Sequence, residues 1–166
     1  MQDPTTTHDD GGAGSVLEGR DAWRQALRDG LRDPGVEFCM YSDDYRDWPL
    51  GEAEVVQALQ QWGFGLRNPC VRILARDYSV ILRDFPRFVA WRTDFSHVLE
   101  CRELLAGIEA PPEGLWLRET GVLALPAQHG RRSVLTRGAA WRASVEAFEQ
   151  AWEVAEPGFV SRLLGL

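Results

Sequence analysis

The stretch from Val71 to Leu104, VRILARDYSVILRDFPRFVAWRTDFSHVLECREL, decides how this chain folds. Val71–Ala75 and Val98–Leu104 are short apolar runs of strand character, and Tyr78–Asp94 between them reads as a helix broken once. Two strands joined through a helix predict a parallel pair with a right-handed crossover. Asp77 and Asp84 stand where helix N-caps belong, ahead of Tyr78–Arg83 and of Phe85-Pro86. Phe85, Phe88 and Val89 share one face, which turns toward the sheet, while Arg87 and Asp94 face water.

Upstream, Val36–Ser42 (VEFCMYS) is nearly continuous in apolar residues and is therefore predicted as a central strand. The acidic loop DDYRDWP follows it, and then a helix over about Glu52–Trp62 whose core face is Val55, Leu59 and Trp62. Gly63, Gly65, Asn68 and Pro69 break the chain before the central stretch. Nearer the start, Ser15 with Glu18 fits a capping box that opens a helix to about Arg32, with Trp23, Leu27 and Leu31 as its apolar stripe. Residues 1–15 are polar and Gly-rich, so they read as a disordered tail ahead of one domain over residues 16–166.

Downstream of Leu104 the pattern changes. Leu115–Arg118 and Val122–Leu125, separated by Glu119-Thr120-Gly121, form a hairpin signal and hence an antiparallel pair. Ser133–Thr136 adds a further short strand. The final helix covers about Ala139–Val154, where Trp141, Val145, Phe148 and Trp152 repeat at helical spacing and should point into the sheet. Arg142, Glu146, Glu149 and Glu153 should then lie in water. Pro157-Gly158 ends that helix, and Phe159–Leu166 should dock as an apolar C-terminus. There is no internal repeat and no second domain.

Composition narrows the function classes. A chain of 166 residues with 45% hydrophobic content, seven Trp and seven Phe can fill the core of a single domain. The net charge of −7 argues against a strong nucleic-acid footprint, which needs a basic face. All 18 basic residues are Arg, so Schiff-base chemistry, a P-loop and a lysine phosphate clamp are all excluded. No GxGxxG, Walker or GxSxG motif is present, and no cofactor is expected. Cys39, Cys70 and Cys101 are an odd number without CxxC pairing, which points to a reducing compartment. Met1–Ser15 lacks the basic start and apolar core of a signal peptide, and no apolar run approaches the roughly 18 residues of a membrane span. The expected location is cytoplasmic.

Several of these words are familiar together: YSDDYRDWPL, VRILARD, the helix start Pro86-Arg87, the strand ECREL and the ending FEQAWEVAEPGFVSRLLGL. From Val16 to Leu166 the chain resembles an uncharacterised bacterial family of domains that is distantly similar to half of a phospholipase D-like fold. Some members of that family are appended to acetyltransferases. The resemblance implies a single α/β domain, with a central mixed, mostly parallel sheet flanked by helices. Phospholipase D-like halves pair face to face, so it also implies a homodimer, or contact with another protein.

Phospholipase D-like enzymes carry His-x-Lys-x4-Asp. With Glu119 in the Asp place, the His and Lys places hold Pro112 and Gly114. The other alignment, His129-Gly130-Arg131 with Thr136, gives a His in a turn without an orienting carboxylate. The resemblance thus implies the fold without its chemistry, and no catalytic residue is assigned. In open α/β sheets, ligands bind beyond the carboxyl ends of parallel strands. Asp43 and Asp44 follow the first strand, Asp77 follows the second, and Arg102 on the third is the expected counter-charge. Trp48, in a loop beside Pro49, is a candidate for lining a pocket or an interface. These five are the candidate binding residues, with no metal ligand among them. The expected function is a non-catalytic binding or regulatory module acting through self-association. The alternative is a metal-dependent phosphoesterase using the carboxylates at the strand ends. Helix capping and solvation explain the same carboxylates without a ligand.

Overall fold

A computed structural model describes residues 14–159, which form a single α/β domain built on one eight-stranded mixed sheet. The strands are β1 (Val16–Glu18), β2 (Glu37–Ser42), β3 (Cys70–Ala75), β4 (Leu99–Glu103), β5 (Gly114–Trp116), β6 (Thr120–Leu125), β7 (Arg132–Arg137) and β8 (Glu156–Pro157). Their order across the sheet is β1-β7-β6-β5-β2-β3-β4-β8. The helices are α1 (Arg20–Arg32), α2 (Ala53–Gly65), α3 (Ser79–Asp84), α4 (Pro86–Asp94) and α5 (Gly138–Val154).

The parallel core is β2-β3-β4, with Val71 opposite Leu99 and Phe38 opposite Val71. Two right-handed crossovers that advance in the same direction must leave their helices on the same face. Accordingly α1, α2, α3 and α4 bury Trp23, Leu27, Leu59, Ile81, Phe88 and Trp91 against Phe38, Met40, Val71 and Ile73. The alternate residues of the same strands, Cys39, Tyr41 and Leu74, face α5 and meet Phe148, Ala151 and Trp152. One helix thus covers a face that four share on the other side.

The expectation of a mostly parallel sheet is corrected. Only the β2·β3 and β3·β4 pairings are parallel, and the other five are antiparallel. Tight turns impose two of these, because β5, β6 and β7 follow one another through connections too short for a crossover. Two short strands, β1 and β8, then close the edges. The expected helix over 15–32 is corrected as well. Val16–Glu18 pairs with Arg132–Val134, and Leu135 donates its N–H to the Ser15 carbonyl at 3.0 Å, so Ser15 is no helix cap. Gly19, at φ +89, turns the chain from β1 into α1. The tail expected over residues 1–15 otherwise lies outside the described residues, as do residues 160–166. Phe159 is buried and stacks on Tyr78 at 4.8 Å. Among the described residues no helix is long and apolar enough to cross a membrane.

Candidate functional site

Strand direction gathers the loops that matter at one edge. β2, β3 and β4 end there, β5 and β7 begin there, and β1 delivers Gly19 and Arg20 to the same side. The connections 43–48, 104–113 and 126–131 therefore meet beyond the carboxyl ends of the parallel strands.

Arg131 joins them. Its Nη1 donates to Glu113 Oε2 at 2.7 Å and its Nη2 to Asp47 Oδ2 at 3.0 Å, while its guanidinium lies 4.8 Å from the centre of the Trp23 ring. The other oxygen of Glu113 accepts from Ser42 Oγ at 2.8 Å and from Trp48 Nε1 at 2.9 Å. Burial works against the charge of Arg131, yet the hydrogen bonds and charges of Glu113 and Asp47 win and raise its pKa. The loop after β2 is fixed by Tyr45, a residue at φ +64 that an L side chain rarely adopts. Its backbone N–H donates to Ser42 Oγ at 3.0 Å and its buried hydroxyl to the Leu74 carbonyl at 2.8 Å. Such a backbone costs about 1–3 kcal/mol and persists only where surrounding contacts over-determine it.

On one side of the Arg131–Glu113 wall lies a cleft of about 400 Å³ bordered by Tyr41, Asp43, Asp44, Arg46 and Pro111. On the other lies one of about 620 Å³ bordered by Gly19, Arg20, Leu125 and Arg132. Both terminal nitrogens of Arg131 and both oxygens of Glu113 have partners within the wall, and the other oxygen of Asp47 lies 3.3 Å from Arg20 Nε. The arrangement ties the three loops into one polar wall, in which the Ser42 hydroxyl donates to one oxygen of Glu113 while Arg131 holds the other.

The residues singled out from sequence are only partly brought together. Asp43 and Asp44 border the smaller cleft. Asp43 accepts from the Tyr41 hydroxyl and stands 3.6 Å from Arg76 Nε, and Asp44 pairs with Arg46 at 2.6 Å. Asp77 is tied to the cleft through its backbone, whose N–H donates to the Asp43 carbonyl at 3.0 Å. Its carboxylate turns to α3, accepting from the backbone N–H and hydroxyl of Ser79, which lowers its pKa. Arg102 is not the counter-charge. It lies on the α5 side, donating to the Trp152 carbonyl at 2.7 Å and to Glu100 at 2.9 Å, 4.5 Å from the Trp152 ring. Arg76 and Arg46 take that place instead, facing Asp43 and Asp44. Trp48 is 2% exposed and packs edge-on against Trp23 and Tyr45, so only its indole N–H reaches the site. Among the described residues no group of three His, Cys, Asp or Glu is placed to hold a metal ion. The carboxylates expected to do so each have a different partner.

Sequence reading missed Glu113, Arg131 and Asp47. Glu113 follows Pro111-Pro112 at a strand start and Arg131 follows the φ +69 turn residue Gly130. Asp47 and Arg131 stand 84 positions apart, and no local signal pairs them. His129 is exposed in the β6–β7 turn and borders neither cleft.

The family described as "Domain of unknown function (DUF7931)" matches residues 20–164. No curated protein matches the chain. Among solved structures it is similar to TrmBL2, an archaeal chromatin protein whose structure "shows a novel mode of DNA binding". The TM-score is 0.65 at 16% identity, over 93% of this chain and 57% of that one. The likeness is one of fold, and the present chain spans little more than half of that protein's length.

Proposed function

The chain belongs to the DUF7931 family, and we propose that it is a non-catalytic binding or regulatory module that acts through self-association. On this reading it is a phospholipase D-like half-domain without the chemistry. Arg131 carries the reading: the half-buried cation of the loop edge is occupied by Glu113, Asp47 and the Trp23 face. Phosphoryl chemistry needs a cation facing the substrate and an activated nucleophile. Here Pro112 and Gly114 stand in the His and Lys places of the motif, and the chain has no lysine.

The same edge supports pairing. Arg76 donates to the carbonyls of Leu105 and Ile108 at 2.9 and 2.6 Å, which holds these two exposed apolar side chains on a fixed loop. Asp43, Asp44 and Arg46 would supply a polar rim around them, as interfaces commonly have. Light scattering on the full chain should give a dimer at high micromolar concentration. The double variant Leu105→Asp, Ile108→Asp should be a monomer with an unchanged melting point. A wild-type monomer over that range would sink the proposal.

A further inference from the structure

We propose a binding site for a small aromatic carboxylate in the cavity beneath the first half of α5, at the edge of the sheet opposite the loop cluster. The inference rests on different residues from the self-association reading and stands or falls without it. The cavity holds about 530 Å³, within the roughly 300–1,000 Å³ of small-molecule sites. It opens where β2 begins and β5 ends, beside Val36 and Arg118.

Its existence follows from how α5 is held. The second half of the helix is pinned: Phe148, Ala151 and Trp152 are buried against Leu74 and Leu104. Arg72 rises from β3 between them, donating to both oxygens of Glu149 at 2.8 and 2.5 Å, with its guanidinium 5.3 Å from the Phe148 ring. Trp141 and Val145, in the first half, are only half-buried. Protein interiors are close-packed, and an apolar space of this size between a helix and its own sheet is a built feature.

The walls define the occupant. Trp116, Trp141 and Phe148 line the cavity, with Trp116 and Phe148 at 5.0 Å between ring centres, a setting that favours a flat ring through offset and edge contacts. Inside, both terminal nitrogens of Arg72 go to Glu149, with the exposed Glu37 at 3.7 Å, which leaves the buried Arg72 Nε and Trp141 Nε1 as donors without a partner. Burial holds the Cys39 thiol neutral by raising its pKa to about 12. Arg118 borders the cavity, is exposed, and makes no ion pair among the described residues. A ring body inside and one anionic group at the mouth match this pattern.

Calorimetric titration of the full chain with 2-naphthoate, and with 2-naphthamide as the uncharged control, tests the site. Saturable one-to-one binding of 2-naphthoate is expected. Arg118→Gln should weaken 2-naphthoate by roughly three- to tenfold and leave 2-naphthamide unchanged. Val145→Trp should fill the cavity and abolish binding of both. Should that variant fail to fold, Val36→Trp at the exposed lip must abolish binding instead. Absence of saturable 2-naphthoate binding to the wild type overturns the site, as does undiminished binding in a folded cavity-filling variant. Equal affinities of wild type and Arg118→Gln for 2-naphthoate overturn the ligand class.

Discussion

Glu149 is a residue whose role the sequence conceals. Helical spacing sends it to water with Arg142, Glu146 and Glu153, and those three are indeed exposed. Glu149 instead receives both terminal nitrogens of Arg72, a cation laid against Phe148 and Trp152. The amphipathic pattern is legible, but the pair spans 77 positions and is not. For the same reason Asp43 and Asp44 could be placed at the cleft from their position after β2, while Arg102 and Trp48 could not. The first two depend on strand direction, and the others on packing across the sheet. Hydrogen bonds from Arg72 lower the pKa of Glu149 from its ordinary 4.5. A carboxylate depressed on folding stabilises above its unfolded pKa and loses that contribution as pH falls through its folded pKa. Glu149 is 40% exposed, so Glu149→Gln should cost only about 1–2 kcal/mol at neutral pH, less than breaking a fully buried pair. The melting-point gap between wild type and Glu149→Gln should be constant well above the ordinary 4.5 and close progressively as pH falls below it. A gap that persists unchanged in acid would show that the pair is not its cause.

At the scale of elements, the crossover and the last helix were the most legible parts. Cys70–Ala75, the broken helix and Leu99–Glu103 follow the reading of the central stretch within a residue or two. The edges were not legible. β1 and β8 are three and two residues long, too short for any alternation to register, and both exist only because a neighbouring strand offers free backbone groups. A capping-box pattern at Ser15–Glu18 lost to the pairing with β7 for that reason. Within α5 the apolar stripe divides into two kinds of position. Phe148 and Trp152 are buried, Phe148 as the inner wall of the cavity, whereas Trp141 and Val145 on its outer side are only half-buried. Trp152→Ala should therefore cost about 3–5 kcal/mol, through lost transfer energy and the space left behind. It also removes the ring over which Arg102 lies. Trp141→Ala, already half-exposed, should cost markedly less. Urea unfolding of the two variants decides the matter: equal losses would mean that the stripe is uniform and the cavity closed in solution.

For the molecule as a whole, the distribution of charge bears on what the surface can bind. TrmBL2 shares the architecture and is described as binding DNA. Binding DNA through its backbone means releasing counterions, each phosphate contact contributing a salt-dependent share that needs an arginine or lysine free to make it. This chain carries a net charge of −7 and no lysine. Many of its arginines are already committed: Arg28 to Glu52, Arg46 to Asp44, Arg72 to Glu149, Arg131 to Glu113 and Asp47, Arg132 to Glu18. Turning these to phosphate would strand their carboxylates, some of them half-buried, at a cost that surface contacts do not return. The present domain should consequently show no more than the weakest non-specific affinity for duplex DNA, a Kd above about 10⁻⁴ M at physiological salt. Fluorescence anisotropy with a labelled duplex, repeated across a salt series, measures it. Micromolar binding with a steep negative salt slope would reveal a basic surface that the arginine pairings do not leave, and would move the reading from protein contacts to nucleic acid.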